Sequence, residues 1–299
     1  MTEAEERIRN DLAAQIKEPV RDLRPIPEGH SGFSYWVELE GRRGVLRLPP
    51  PGARIAGPAD IPRQARIMAA LYEQGLPVPA VVATSQDPVV DGRPFVLMEA
   101  IRGERVEQAI DAGSDPLQLA SSAVDVLRRF QAVPCSDTGI GSEEPMPLEG
   151  EVSRWTWLME RAPSELTGQA PRLAQRLLEW QPGPMPPVLV HGDYHFGNML
   201  FDSGRVAAVV DWEIAQLGQP LLDLCCISLS HISAEAVQEM YGADPDDYRW
   251  YRALTYYKYA AIFGYNLMLH RRGKRPDPSY EQRTDTILGF IDQGVRVLA

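Results

Sequence analysis

"VLVHGDYHFGNMLFDSGRVAAVVDWE", residues 188–213, is the stretch whose reading decides the fold. It has one basic residue, Arg205, and sets His191, Asp193, Asn198, Asp211 and Glu213 among Val, Leu and Ala. Apolar strands rarely end in carboxylates unless a ligand needs them. Residues 188–190 read as a short apolar strand and 191–198 as a loop. Residues 199–201 and 206–210 read as two strands joined by "DSGR", with Gly204 suited to a left-handed turn position. Pairing Phe201 with Val206 puts Asn198 opposite Val209, with Asp211 two residues further along. At ~3.3 Å per residue, Asn198 and Asp211 then lie within about 7 Å of each other. Asp193 shares the loop. Two carboxylates and an amide oxygen around one point suit a hard cation such as Mg²⁺, with a bound phosphate supplying further oxygens.

The chain has 299 residues, 44% hydrophobic and 24% charged, an ordinary globular composition with enough length for two lobes. No apolar run approaches the ~18 residues of a membrane span, so no membrane partner is expected. The N-terminal "MTEAEERIRNDLAAQIKE" has neither a signal-peptide nor a transit-peptide pattern. Three cysteines without a CxxC pair fit a reducing, cytoplasmic setting. The net charge of -11 argues against nucleic acid as partner. The imbalance is local: residues 191–234 hold five acids and one base, whereas 235–299 hold nine of each.

The patterning predicts a helix over 3–17, a hairpin from 34–39 and 44–48, and a helix over 61–74. Strands follow at 80–86 and 95–100, with a hinge near 95–103. After Gly103 helices dominate, at 104–111, 116–132, 151–162, 169–180, 220–230, 233–241, 246–270 and 279–297. The expected fold class is α+β. A small β-rich N-lobe (1–100) precedes a larger helical C-lobe (101–299), with a ligand cleft between the two.

The spacing His-x-Asp-x4-Asn is that of the protein-kinase catalytic loop, and Asp211 stands where a metal-binding Asp would follow. Here Gly follows His191, and Trp-Glu follows Asp211. "HGDYHFGN…DWE" therefore resembles the aminoglycoside phosphotransferase / choline kinase superfamily, small-molecule kinases with the protein-kinase-like fold. The longer string "VLVHGDYHFGNMLFDSGRVAAVVDWEIAQLGQPLLDL" is most similar to bacterial phosphotransferases resembling the kinase domains associated with acyl-CoA dehydrogenases. The resemblance spans about residues 25–270 and is strongest at 188–224.

The resemblance implies a bilobal kinase-like fold, ATP (or GTP) and Mg²⁺ as cofactors, and a small hydroxylated acceptor. It makes Asp193 the catalytic base and His191 the brace of its loop, with Asn198 and Asp211 holding the metal. Glu213 would approach a second metal or stand behind the first, His195 would assist Asp193, and Asp223 would bond backbone near the catalytic loop. Ser31, Gly32 and Phe33 would tip the loop over the nucleotide. Arg47 would take the place of the strand lysine that binds phosphate. Its helix partner should be a carboxylate, but the residue there is Gln64, which can hydrogen-bond Arg47 without an ion pair. Arg63 and Arg66, flanking Gln64, read as a solvated helix face. Glu99 and Ile101 would offer main chain to the base, with Met98 guarding the pocket behind it.

Tyr and Trp crowd residues 248–259, mostly as core, with some suited to an acceptor pocket. A polycationic aminoglycoside would need a strongly acidic site. The neutral C-terminal region favours an amphipathic or apolar hydroxyl compound. Two rivals are a non-catalytic nucleotide binder, suggested by Gln64, and a protein kinase. The second lacks an activation segment, because "IAQLGQPLLDL" runs straight into a helix.

Overall fold

The computed structural model describes residues 2–26 and 33–299. Ser31 and Gly32 lie outside them. The chain forms two compact units, Met1–Glu143 with His191–Gln216, and Glu144–Val190 with Leu217–Ala299.

The first unit is built on a five-stranded antiparallel sheet: β1 (Asp22–Pro25), β2 (Phe33–Glu38), β3 (Arg43–Leu48), β4 (Val81–Val90) and β5 (Arg93–Glu99), in the order β1-β2-β3-β5-β4. Alternation decides which side chains face which way. Leu46 and Leu48 of β3 join Leu97 and Phe95 in a core with Ile8 and Leu12 of α1 (Glu3–Ile16). Val45 and Arg47, one residue out of phase, therefore face the opposite side. There α2 (Ile61–Glu73) buries Ile67, Met68 and Leu71. α1 starts on a capping box between Thr2 and Glu5, which satisfies two otherwise unpaired N–H groups.

The structure corrects the sequence reading of this helix face and of the last helix. Arg63 is no solvated face residue: its guanidinium forks onto Glu143 (2.6 Å twice) and also donates to the Ala215 carbonyl (2.9 Å), with 16% of its side chain exposed. The helix assigned to 279–297 begins later. Pro278–Arg283 is a 3₁₀ turn capped by Asp277, and the α-helix runs Thr284–Val297.

Residues 191–213 of the opening stretch belong to the first unit. β7 (Met199–Asp202) and β8 (Arg205–Val209) form a hairpin whose turn residues Ser203 and Gly204 both have positive φ (50° and 77°), the conformation a two-residue hairpin turn requires. Phe201 does pair with Val206, but Leu200 pairs with Ala208 and Met199 with Val209. One extra residue on β8 shifts the register, so Asn198 faces Val210, not Val209, and its carbonyl accepts the Val210 N–H at 2.9 Å. The bulge thus brings Asn198 and Asp211 one residue closer than simple pairing predicts.

The hairpin is bolted down on three sides. Ser122 and Ala123 of α4 (Pro116–Gln131) accept from the Val206 N–H (2.9 Å) and the Tyr194 hydroxyl (2.9 Å). Val209 N–H donates to the Pro77 carbonyl at 2.8 Å. Glu104, just before α3 (Val106–Asp111), exchanges both main-chain bonds with Phe201 (2.8 and 2.9 Å).

The second unit is helical: α5 (Leu148–Met159), α6 (Ala170–Glu179), α7 (Leu221–Ile227), α8 (Ala234–Tyr241), α9 (Pro245–Arg271) and α10 (Thr284–Val297), with β6 (Val188–Val190) pairing β9 (Gln216–Gly218). All six Tyr and Trp residues of 248–259 are buried, so this aromatic crowd is packing. No helix among the described residues is long and apolar enough to cross a membrane.

Gly103 lets the chain before α3 lie against β7. A Cβ there would sit 2.9 Å from Leu200 Cβ and 3.1 Å from the Phe201 carbonyl oxygen. Gly103→Ala is expected to destabilise the fold by about 1–3 kcal/mol through overpacking against backbone, read as a lower urea midpoint with unchanged slope.

Candidate active site

Trp212 is firmly held in this stretch. It is 1% exposed, its indole N–H donates to the Val209 carbonyl (3.1 Å), and its ring lies 4.6 Å from His191 and 5.1 Å from Phe130. Because Trp212 is turned inward, its neighbours Asp211 and Glu213 share the other side. Asp211 makes this turn with φ of +68°, a left-handed conformation that a non-glycine residue holds only when its surroundings demand it.

His191 is 1% exposed and ties the two halves of the stretch together. Its Nε2–H donates to the Val210 carbonyl (2.9 Å), and its Nδ1 accepts the Asp193 N–H (3.2 Å). Those two bonds require the neutral ring. Burial pushes its pKa down to about 4, against the nearby charges of Asp193 and Asp211. Gly192 follows for a backbone reason: its φ is +84°, and a Cβ would lie 2.7 Å from the Ile214 carbonyl oxygen. An arginine, which many kinases carry there, would not fit this turn.

Asn198 donates Nδ2–H to both the Asp193 carbonyl and Asp193 Oδ2, each at 2.9 Å. The amide therefore fixes the carboxylate and keeps its own Oδ1 for a cation. His195 stands across Asp193, with Nε2 3.4 Å from Oδ2, while its Nδ1 caps the short 196–198 turn by accepting the Gly197 N–H (2.9 Å). Asp223 is buried in α7 of the second unit.

Arg47, 12% exposed at its side chain, bridges the sheet to this stretch. Its Nη1 donates to Asp211 Oδ1 (2.8 Å) and its Nη2 reaches Glu213 Oε2 (3.4 Å). Burial opposes its charge, but the two carboxylates outweigh that and hold its pKa above the usual value. Gln64 is 1% exposed and spends its amide N–H on the Pro58 carbonyl (3.0 Å), holding the loop before α2.

Some of these groups line a cleft of about 280 Å³ within the first unit, while His191, Asp193, His195 and Glu213 are not among its lining residues. Arg47, Gln64, Met98, Glu99, Ile101, Asn198 and Asp211 all border it. So do Val45 and Leu200, which sequence reasoning did not single out. Their signal was present in alternation: Val45 shares a face with Arg47, and Leu200 follows Asn198 by two residues. The Glu99 and Ala100 N–H groups are committed to the Ala80 (2.9 Å) and Arg43 (3.1 Å) carbonyls. Phe33 is 43% exposed at the start of β2. The oxygen donors Asn198 and Asp211 suit a hard cation sharing its coordination with phosphate. Among the described residues no three His, Cys, Asp or Glu cluster as a self-sufficient metal cage.

The His191 linkage gives a pH dependence of fixed sign. The folded-state pKa lies below the unfolded value near 6.5, so the unfolded chain takes up the proton first. The contribution is complete above pH ~6.5 and is lost as pH falls toward about 4, a span worth about 3 kcal/mol at 1.36 kcal/mol per pH unit. His191→Gln is expected to remove that part of the acid sensitivity, measured as the difference in urea-unfolding free energy between the two proteins from pH 7 to pH 4.

Comparisons with known proteins bear on the family and the fold. Residues 22–254 match the family model of the phosphotransferase enzyme family. Among curated relatives, acyl-CoA dehydrogenase family member 10 of Mus musculus is 28% identical over 279 residues, covering 81% of this chain and 26% of the relative. Homoserine kinase of Pseudomonas aeruginosa (strain LESB58) is 30% identical over 212 residues, covering 69% of this chain and 63% of the relative. The chain thus spans about a quarter of the length of the first of these. A proposed aminoglycoside phosphotransferase from Ralstonia eutropha JMP134 superposes with a TM-score of 0.76 at 20% identity, covering 97% of each chain. Aminoglycoside phosphotransferase APH(4)-Ia, a thermostable mutant in ternary complex with ADP and hygromycin B, gives 0.70 at 16% identity over 97% of this chain and 98% of its own. The GDP and kanamycin complex of APH(2")-IIIa gives 0.68 at 16% identity over 97% and 96%. The fold is that of these protein-kinase-like enzymes, and with more than two thirds of its length matching the family model, this chain belongs to the phosphotransferase enzyme family.

Proposed function

We propose that the protein transfers the γ-phosphate of ATP, or of GTP, to a hydroxyl of a small molecule with Mg²⁺. The observation that carries this reading is the double hydrogen bond from Asn198 to Asp193. It fixes the carboxylate while leaving an amide oxygen for a cation beside Asp211. In the reaction, the acceptor O–H gives its proton to Asp193, the oxygen attacks the γ-phosphorus, and the nucleoside diphosphate leaves with the bonding electron pair. Mg²⁺, when bound, supplies charge neutralisation at the phosphates. Arg47 adds a fixed positive charge, and His191 holds the loop without changing protonation.

Val45 from above and Leu200 from below frame the place for the base, with Met98 behind it. With the Glu99 N–H spent in the sheet, the Glu99 carbonyl and the Ile101 N–H are the main-chain groups suited to the base edge. Ser31, Gly32 and Phe33 complete this reading as the loop covering the nucleotide.

The acceptor is read as an amphipathic or apolar hydroxyl compound, because residues 235–299 carry as many bases as acids and a polycation would gain little there. His195, with Nε2 3.4 Å from Asp193 Oδ2, flanks the carboxylate that would accept the hydroxyl proton.

Asp193→Asn is expected to lower turnover at least ~100-fold while changing nucleotide affinity less than about threefold, since it removes only the proton acceptor. Asp211→Ala is expected to weaken nucleotide binding in Mg²⁺ and to leave the metal-free affinity little changed. Titration calorimetry with and without EDTA measures both. Full turnover in the Asp193 variant refutes the assignment. A panel of hydroxylated acceptors, followed by ADP release, tests the acceptor class, and turnover of aminoglycosides alone would overturn it.

A further inference from the structure

The partner of Arg47 is not where a kinase-like site usually keeps it. A helix carboxylate would normally steer this strand cation, yet position 64 is a glutamine with its amide N–H committed to the Pro58 carbonyl. It can supply no charge. Arg47 instead reaches across to the hairpin, with one nitrogen on Asp211 and the other on Glu213.

These two contacts differ in what a cation does to them. A metal held by Asp211 would draw on the same carboxylate charge that Arg47 uses at 2.8 Å, and that pair would weaken. Glu213 is under no such competition if it stays off the metal. Trp212, buried and bonded to Val209, keeps Asp211 and Glu213 on one side, so the second carboxylate is already in place. Side-chain exposures of 12% for Arg47 and 19% for Glu213 mean that solvent screens this pair less than a surface ion pair.

We propose that Glu213 is the positioning residue for Arg47. It takes over the role of the missing helix carboxylate and retains the guanidinium at the cleft when Asp211 turns to the cation. The Trp-Glu that follows Asp211 is therefore one device: Trp212 sets the direction and Glu213 holds the arginine. This inference rests on the nucleotide site described above.

The test is a double-mutant cycle on nucleotide affinity in saturating Mg²⁺, using the full chain, ATP as probe, and Glu213→Gln and Arg47→Ala. Glu213→Gln alone is expected to weaken ATP binding roughly tenfold, between the values for exposed and buried ion pairs. In the Arg47→Ala background it should change affinity less than twofold, because the guanidinium it positions is gone. The Mg²⁺ concentration giving half-maximal ATP binding should stay within twofold of the unmutated protein.

If Glu213 is instead a metal ligand, its loss persists in the Arg47→Ala background and the Mg²⁺ requirement rises tenfold or more. If it only props the fold, its loss also persists there, with a matching fall in Tm. Either result overturns the inference and leaves the nucleotide site standing. Should Glu213→Gln fail to fold, Glu213→Asp must show the same dependence on Arg47 with a smaller loss. ATP binding absent from the unmutated protein would overturn the reading of the site itself.

Discussion

The buried contact between Trp212 and His191 is the interaction on which the rest of this site depends. Trp212 is held by the Val209 carbonyl and by the rings of His191 and Phe130. His191 in turn bonds both Val210 and Asp193. One aromatic pair thereby couples the loop that carries Asp193 to the strand end that carries Asp211. The imidazole cannot be charged, nor either ring moved, without cost, since the imidazole is buried and its two bonds demand one neutral tautomer.

Around that pair the chain spends backbone strain where it gains position. Gly192 takes a left-handed turn against Ile214, and Asp211 takes one without the glycine that would ease it. The bulge in β8 does similar work in the hairpin by moving Asn198 opposite Val210. Such local departures from regular geometry are affordable because Ser122, Ala123, Pro77 and Glu104 fix the hairpin from outside.

The electrostatics follow the same economy. Three carboxylates, Asp193, Asp211 and Glu213, gather near the cleft, and each has a donor or cation assigned to it: Asn198 and His195 for the first, Arg47 for the other two. A site of this kind is preorganised for phosphate charge. On the proposed reading, the donors that would face phosphates are already held by neighbouring groups, leaving little reorganisation for the reacting state. The relatives and neighbours of this fold include a homoserine kinase and aminoglycoside phosphotransferases bound to hygromycin B and kanamycin, so the fold alone does not name the acceptor.

Much of this was legible in the sequence because it depends on local order along the chain. Period-two alternation marked β2, its turn marked the returning β3, the tight DSGR turn marked β7 and β8, and the fixed spacing of His191, Asp193, Asn198 and Asp211 marked the loop and hairpin that carry them. Helical periodicity marked most helices within a residue or two. What alternation could not show was the extra residue in β8, since a bulge breaks the count without changing composition. Nor could sequence reveal that Arg63 forks onto Glu143, 80 positions away, or that Gln64 turns to Pro58 while Arg47 turns to Asp211 and Glu213. Which residues share a strand or a helix face is set by covalent spacing, so the sequence alone determined it. Which side chain becomes the partner of a buried charge is set by what long-range packing brings within about 3 Å, and only the tertiary structure decided that.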